Sequence, residues 1–463
     1  MGEPLSDFAI VRARNQREKR TMSAAPTAPP DIAARLDRLP LTALHLLVMG
    51  VCALGFIFDL IEIALGSVLS AVFSTPPSVV PAQQLSLLLA SVYVGAVVGA
   101  PTLGWLADRH GRRFVLIGVL LWLGLTSAAA ATSVDMTALT VCRALSGLAL
   151  GAYPPLMISY LTDLLPPLRR GTLIMLTGCV AGLGPPIGVF GVRALTPLQT
   201  PGFEAWRMGL AIGAIGAALI GLLFLRLPES PRWLKAKGRH ADAERVCSAF
   251  ERSRRVLKMA SALPSAAPTE APAVAPGRSP WPPVAALFLL SPWATVAFPL
   301  LVGAVLAHKG FALSDTLLYV GLGTFGPLVA SPLAALGMDL FDRRRLLMAC
   351  AAGMVACGAL FAAASQPWLL VLANFLFGVV GSIYVTAMNL YGSELFTTAK
   401  RAGSLAGAWS LNRLGAVVGP PLLLPLLKSS GPTAMFAVIA ASLAASIALL
   451  ALSPRGRQRQ SVA

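Results

Sequence analysis

Four ionisable residues lie inside long apolar runs, where a charge is expensive, and their types and spacing suggest what chemistry they could do. Phe58-Asp59-Leu60-Ile61-Glu62 sets two carboxylates three residues apart, on one face if the run is helical. Arg143 and Arg413 lie in apolar runs of their own. At the centre of a bilayer each such charge costs on the order of 3 kcal/mol or more, so each is a functional candidate. Counted along its helix, Glu62 falls roughly 28 Å beyond the inner end, and Arg143 roughly 10 Å below the outer end of its own, so the two depths nearly meet. A carboxylate beside an Arg in a dry site stays ionised, and withdrawal of the Arg favours proton uptake. Glu62 and Arg143, with Asp59 as a second acid, therefore read either as a proton-coupling switch or as a static pair that fixes helix packing. Arg413, in Asn412-Arg413-Leu-Gly415-x-x-x-Gly419-Pro420, offers a planar fork suited to a carboxylate. Its partner is either an anionic substrate or an internal acid such as Asp59 or Glu62.

The elements that must hold these residues follow from composition. Of 463 residues 56% are hydrophobic and only 12% charged, with a mean hydropathy of +0.73, too little polar surface for a water-soluble globule. Apolar runs long enough to cross a hydrocarbon core are expected at 43–73, 84–105, 114–133, 136–165, 171–195 and 206–227, then at 283–307, 315–338, 346–365, 368–392, 402–427 and 433–452. With no water to satisfy the backbone, these must be helices, so the fold class is an all-α membrane protein with twelve transmembrane helices in two six-helix halves.

The formal charge of +17 does not mark a nucleic-acid binder. With the N-terminus inside, 31 of the 37 Lys and Arg fall in cytoplasmic segments, while Arg193, Lys309 and Lys428 fall in external loops and Arg143, Arg207 and Arg413 within spans. That bias is the positive-inside rule, and it places both termini in the cytoplasm. The six cysteines form no C-x-x-C pair, so neither a disulfide framework nor a metal site is expected, and no cofactor. Residues 1–40 are basic and Pro/Ala-rich without an apolar core before Leu41, so no cleaved signal peptide is expected, and Met22 is an alternative start.

A single offset of 231 residues superposes landmarks of the two halves. Asp108, Arg112 and Arg113 fall on Asp339, Arg343 and Arg344; Tyr160, Asp163 and Arg170 fall on Tyr391, Glu394 and Arg401; Gly147 and Gly188 fall on Gly378 and Gly419. Such a parallel repeat places a substrate between the halves. The expected layout is an unstructured cytoplasmic N-terminus (1–40), a first half (41–227), a cytoplasmic loop with short helices and a Pro/Ala-rich tether (228–282), a second half (283–452) and a tail (453–463).

Gly104-Trp-Leu-Ala-Asp-Arg-His-Gly-Arg-Arg113 resembles the signature loop of the major facilitator superfamily. Arg143-x-x-x-Gly147-x-x-x-Gly151, with Tyr160-x-x-Asp163 and Arg170-Gly171, and Pro228-Glu229-Ser230-Pro231-Arg232-Trp233-Leu234 resemble marks of its sugar-porter-like branch. The resemblance implies alternating access, with Asp108, Arg112, Arg113, Asp163, Arg170, Glu229, Arg232, Asp339, Arg343, Arg344, Glu394 and Arg401 as a cytoplasmic gate of salt bridges between the halves. The bland alternative is topology and helix capping alone. The second loop departs from the pattern, with Leu340 where an Arg and Asp342 where a Gly is expected. By the same resemblance the acid of helix 1 and the Arg of helix 4 couple protons. The repeat mates of Arg143 and Glu62 are Asn374 and Trp293, which leaves that machinery in the first half alone.

Proton-coupled aromatic-acid and organic-acid symporters have a similar helix 11 Arg and a similar Phe-Asp-x-x-acid run, which implies that Arg413, with Asn412, binds a substrate carboxylate. Sugar porters carry glutamines in helices 5 and 7, whereas 171–195 and 283–307 hold none. Tyr93, Tyr153, Trp293, Asn374, Tyr384, Asn389 and Trp409 are weaker lining candidates, each more often a packing residue. The expectation is a non-enzymatic, monomeric carrier in the cytoplasmic (inner) membrane of a bacterium. It would take up a small organic carboxylate with protons, with proton-driven efflux or sugar transport as alternatives. A ligand-sensing receptor would need a signalling domain that the short tails do not provide.

Overall fold

The computed structural model describes residues 32–167, 170–257, 281–337, 341–396 and 398–453. A short helix α1 (Ile32–Arg38) and strand β1 (Leu41–Thr42) lead into α2 (Ala43–Val72), α3 (Ala82–His110), α4 (Arg112–Ala131) and α5 (Met136–Leu164). The fifth crossing is broken into α6 (Arg170–Ala181) and α7 (Gly184–Leu195), and α8 (Ala205–Leu223) completes the first half. Then come α9 (Pro231–Ala236), α10 (His240–Arg252) and β2 (Arg255–Leu257), which pairs antiparallel with β1. The second half holds α11 (Trp281–Pro292), a π-helical turn (Trp293–Ala297), α12 (Phe298–His308), α13 (Leu313–Gly323), α14 (Gly326–Gly337), α15 (Arg343–Ala363), α16 (Pro367–Leu395) and α17 (Thr398–Leu452).

Among the described residues eleven segments are long and apolar enough to cross a membrane, and the last of them covers 46 residues. At 1.5 Å per residue that is roughly 69 Å, twice a hydrocarbon core. The backbone leaves helical geometry at Gly431 (φ 83°), a left-handed conformation that glycine adopts freely, directly before Pro432. The chain therefore makes twelve crossings. The other interruptions also have local causes: Gly184-Pro185-Pro186 starts α7, and Pro292 precedes the π-helical turn.

Glycines set the tightest internal contact. A Cβ on Gly147 or Gly151 of α5 would run into the backbone of Val92 or Ala96 on α3, and one on Gly95 or Gly99 would run into α5 in return. Small residues here let two backbones meet, the usual way helices associate in lipid.

Two faces of the bundle differ in charge. The basic face carries the turns at 110–112, 165–170 and 226–257, and the opposite, far face carries those at 73–81, 196–204 and 309–312. The halves meet where α2 packs on α12, α3 on α17 and α7 on α13. One apolar core joins Leu65, Val68, Leu69 and Val72 at the far end of α2 to Leu301, Val305 and the second half. The basic-face part of the first half has its own core, built from Val48, Cys52, Leu116, Tyr153, Leu161 and Phe224. α7 buries Gly184, Pro186, Gly188, Val189 and Val192, whereas α6, nearer the basic face, buries only Thr177 and Ala181. The halves are thus packed together toward the far face and apart toward the basic one.

Part of the segment expected to be unstructured is ordered. Arg35 of α1 reaches both Glu244 (2.7 Å) and Glu251 (2.9 Å) of α10, and Asp37 reaches Arg232 (2.5 Å) and Arg170 (3.6 Å). These ion pairs, with the β1–β2 pairing, tie residues 32–42 to the first half. Residues 1–31, most of the expected tether (258–280) and the tail beyond Ser453 lie outside the described residues.

Candidate functional site

Glu62 and Arg143 meet at the centre of the first half. Both side chains are buried to about 1% exposure, and Arg143 Nη1 donates to Glu62 Oε2. Arg143 Nη2 also donates to the Glu62 carbonyl at 2.9 Å, and Ser127 Oγ of α4 donates to Glu62 Oε1 at 2.5 Å. The carboxylate is therefore satisfied at both oxygens, by residues from α4 and α5. A buried pair pinned in this way strongly resists loss of either partner. Ser127 was not legible in the sequence: one serine among the small residues of α4 has no spacing signal of its own.

Asp59, one turn earlier on α2, has the opposite surroundings. It is fully buried, and neither carboxylate oxygen has a hydrogen-bond partner. Arg413, on α17 of the second half, is the cation whose charge acts on it most strongly, and it also acts on Tyr93. Arg413 is half-buried, lies over the ring of Trp409 at 6.0 Å, and forms no ion pair within the described residues. Trp409 is itself held, its indole N–H donating to Asn389 Oδ1 at 3.0 Å and its ring packed edge-on against Phe288. Asn412 faces away from this arrangement and ties α17 to α11, donating to Ser291 Oγ and the Phe288 carbonyl.

The remaining lining candidates separate. Tyr93 and Arg143 share a small cavity with Gly66 and Leu300. Tyr153 donates to the Cys52 carbonyl at 2.9 Å, Tyr384 is buried in the core of the second half, and Asn374 donates to the Tyr319 carbonyl at 3.4 Å. These three pack helices in this conformation. Trp293, on the π-helical turn, keeps a buried indole N–H without a partner.

On the basic face the charged residues form two separate networks. In the first half Arg112 lies 3.5 Å from both Asp108 and Asp163. Asp163 accepts from Ser230 Oγ, Glu229 accepts from the backbone of Arg113 and of Ser230, and Arg232 donates to the Asp163 carbonyl. The Arg113 side chain donates to the Phe224 and Leu225 carbonyls, and Arg170 to that of Leu165. In the second half Arg343 pairs with Glu394 at 3.1 Å, and Arg344 donates to the Ser453 carbonyl. Asp342, out of place in the repeat pattern, caps α15 by accepting from the Arg344 backbone. Among the described residues no basic-face ion pair joins the two halves; Asp339 and the Arg401 side chain lie outside them.

The profile of the sugar (and other) transporter family matches residues 46–453. The chain belongs to that family. It is 25% identical over 443 residues to the putative metabolite transport protein YyaJ of Bacillus subtilis, covering 92% of this chain and 96% of that one. It is 28% identical over 450 residues to a gallate transporter of Pseudomonas putida, with 89% and 95% covered. The niacin transporter NiaP of Acinetobacter baylyi is 28% identical over 222 residues, about half of each chain. Among solved structures, the inward-open xylose transporter XylE of E. coli superposes with a TM-score of 0.69 at 18% identity, covering 90% of this chain and 98% of that one.

Membership fixes the fold as that of the major facilitator superfamily and the protein as a small-molecule transporter rather than an enzyme. For a transporter of this family the pocket between the halves is where residues from both must converge. Asp59 and Arg413 come one from each half and interact electrostatically, whereas the Glu62–Arg143 pair is complete within the first.

Proposed function

We propose that this transporter couples the uptake of a small organic carboxylate, of aromatic type, to protons. Arg413 holds the carboxylate and Asp59 carries the proton. The observation that supports this reading is a pair of groups at mid-membrane from opposite halves: a buried carboxylate with no hydrogen bond and a guanidinium that, among the described residues, has no ion pair. A substrate anion on Arg413 and a proton on Asp59 neutralise both. Loading only one leaves a net charge in a low-dielectric site, which opposes closure around it. Coupling then needs no further device. Glu62, already paired, supports the fold of the first half and keeps α2 in register.

Two of the relatives carry this substrate class, since gallate and niacin are both aromatic carboxylic acids. Arabinose–proton symporters of Bacillus subtilis and Escherichia coli, 32% and 33% identical over little more than a third of the chain, stand behind the sugar alternative. The charge bias places the basic face in the cytoplasm, so the conformation described opens inward, and the basic-face residues form salt bridges between the halves in the opposite conformation.

The test is thermal stability of the detergent-purified protein against hydroxybenzoates, nicotinate, short dicarboxylates, hexoses and lipophilic cations, followed by proteoliposome uptake. Carboxylates should raise the melting point in the wild type but not in Arg413→Ala. Asp59→Asn should lose proton-driven accumulation while retaining substrate exchange. Stabilisation by lipophilic cations alone would replace the reading with efflux, and stabilisation by hexoses alone with sugar transport.

A further inference from the structure

Positive charge is disfavoured on the far side of a chain with this bias, yet four cations stand there: Arg193, Arg207, Lys309 and Lys428. Each donates to backbone carbonyl oxygens. Two stay within their own half. Arg207 donates to the Ala131 and Ser133 carbonyls at 2.9 and 2.7 Å, closing the end of α4. Lys309 donates to the Ala362 and Ala364 carbonyls at 2.8 and 2.6 Å, closing the end of α15, and its burial there lowers its pKa. These acceptors are repeat mates at the 231-residue offset, although the donors come from different elements.

The other two cross between the halves. Arg193, at the end of α7, donates to the Ser314 carbonyl in the first turn of α13 at 3.0 Å. Lys428, at the far end of the first crossing of α17, donates to the Val80 carbonyl just before α3 at 2.6 Å. The two contacts are related by the repeat. Offset by 231, Arg193 falls one helical turn from Lys428, and Ser314 falls three residues from Val80. They are the two hydrogen bonds between the halves among the described residues, and both lie on the far face.

We propose that Arg193 and Lys428 are positioning residues for alternating access: a two-point latch that holds the far face shut and sets the balance between the two orientations of the transporter. Opening the far face must break both bonds, because each joins one half to the other: Arg193 reaches a helix of the second half, and Lys428 reaches the end of the turn that leads into α3. Their acceptors are neutral carbonyls, so the latch ignores the protonation of the central acids and supplies a fixed bias. Lys309, and Arg207 with its added ion pair to Glu204 at 2.6 Å, make their carbonyl bonds within one half, and stabilise a half without choosing between orientations.

The experiment follows a single reporter cysteine, Ser70→Cys, in a background free of the six native cysteines. Ser70 is buried with an unpartnered hydroxyl, one turn from the Gly66–Leu300 contact between the halves, so the substitution is mild. Its rate of labelling by a hydrophilic maleimide in detergent tracks the far-open population and depends on neither substrate nor membrane orientation. Arg193→Met/Lys428→Met should accelerate labelling about tenfold, given two exposed charge-assisted bonds. Arg193→Lys/Lys428→Arg should restore the wild-type rate. Arg207→Met/Lys309→Met should lower the melting temperature without accelerating labelling. An unchanged rate in the first variant, or equal acceleration in the last, would overturn the latch. Neither outcome bears on Arg413 or Asp59, so the substrate reading stands or falls separately.

Discussion

The two halves share landmarks at one sequence offset but treat charge in different ways. In the first half, Glu62 has its partner in Arg143 with Ser127 beneath, and on the basic face Asp37, Asp163, Glu244 and Glu251 each meet an arginine. In the second half Arg343 meets Glu394, and at mid-membrane Arg413 lies over the ring of Trp409 and has no ion pair among the described residues. The first half is a braced scaffold, and the second presents a cation to whatever enters between them. Asp59 is the exception within the first half, a buried carboxylate with no hydrogen bond that feels the charge of Arg413. In a transporter that rocks two bodies about one site, a braced body and an open charge are complementary requirements.

The sharpest way to break this comparison is to strand one partner of the closed pair. Arg143→Met leaves the buried Glu62 carboxyl without its cation, which should cost about 3–5 kcal/mol. The loss should appear as a collapse of the detergent-solubilised monodisperse yield or a large drop in melting temperature. Glu62→Leu/Arg143→Met should recover most of it, because the stranded charge, not the lost attraction, carries the penalty. A single variant as stable as the wild type would mean that the pair braces nothing.

Next in size is a contrast between two amides one turn apart. Asp59→Asn removes a buried carboxylate that no group satisfies, so melting temperature should hold or rise at neutral pH. Glu62→Gln removes the carboxylate that pairs with buried Arg143 and should lower stability by about 2 kcal/mol or more, with a matching drop in melting temperature. The same chemical change with opposite signs would separate the proton carrier from the brace; equal losses would erase the distinction. Arg413→Ala strands no partner, so stability should stay within about 1 kcal/mol. Affinity for a carboxylate ligand should fall about 100-fold while a neutral isostere is spared. Equal losses for both would make Arg413 a packing residue.

The legible and illegible parts of this molecule divide along physical lines. Hydropathy runs and their spacing give twelve crossings, because lipid leaves the backbone no alternative to helix. Even the turn at Gly431-Pro432 is marked by residue type. The Glu62–Arg143 encounter follows from depth counting, since helices at 1.5 Å per residue are rulers. What counting cannot supply is rotation about the helix axis. Asp59 and Glu62 share a face in the i,i+3 sense, yet the 60° between them separates a satisfied carboxylate from an orphan one. Asn412 and Arg413 are adjacent in sequence and point to different helices. The acidic partner of Arg170 and Arg232 was hidden for another reason. Asp37 lies in a Pro/Ala-rich leader with no pattern of its own, and only its docking on the first half orders it.

That docking supplies the smallest and most pH-specific test of the braced half. Arg35 binds Glu244 and Glu251 together and holds the Glu251 carboxyl below the usual glutamate range. A carboxylate with a depressed pKa contributes stability above its unfolded value, and that contribution disappears as pH falls through its folded one. The side chains of Glu251 and Glu244 are 35% and 49% exposed, so solvent screens the pairs and Arg35→Ala should cost no more than about 1 kcal/mol at pH 7. The gap between variant and wild type should narrow as pH falls below the glutamate range and close once Glu251 is protonated in both. It should also shrink in high salt. If instead the gap persisted in acid, Arg35 would act through the aliphatic packing of α1 on α10. The docking of α1 would then be held by apolar contact, and the contrast between the halves would be confined to the membrane centre.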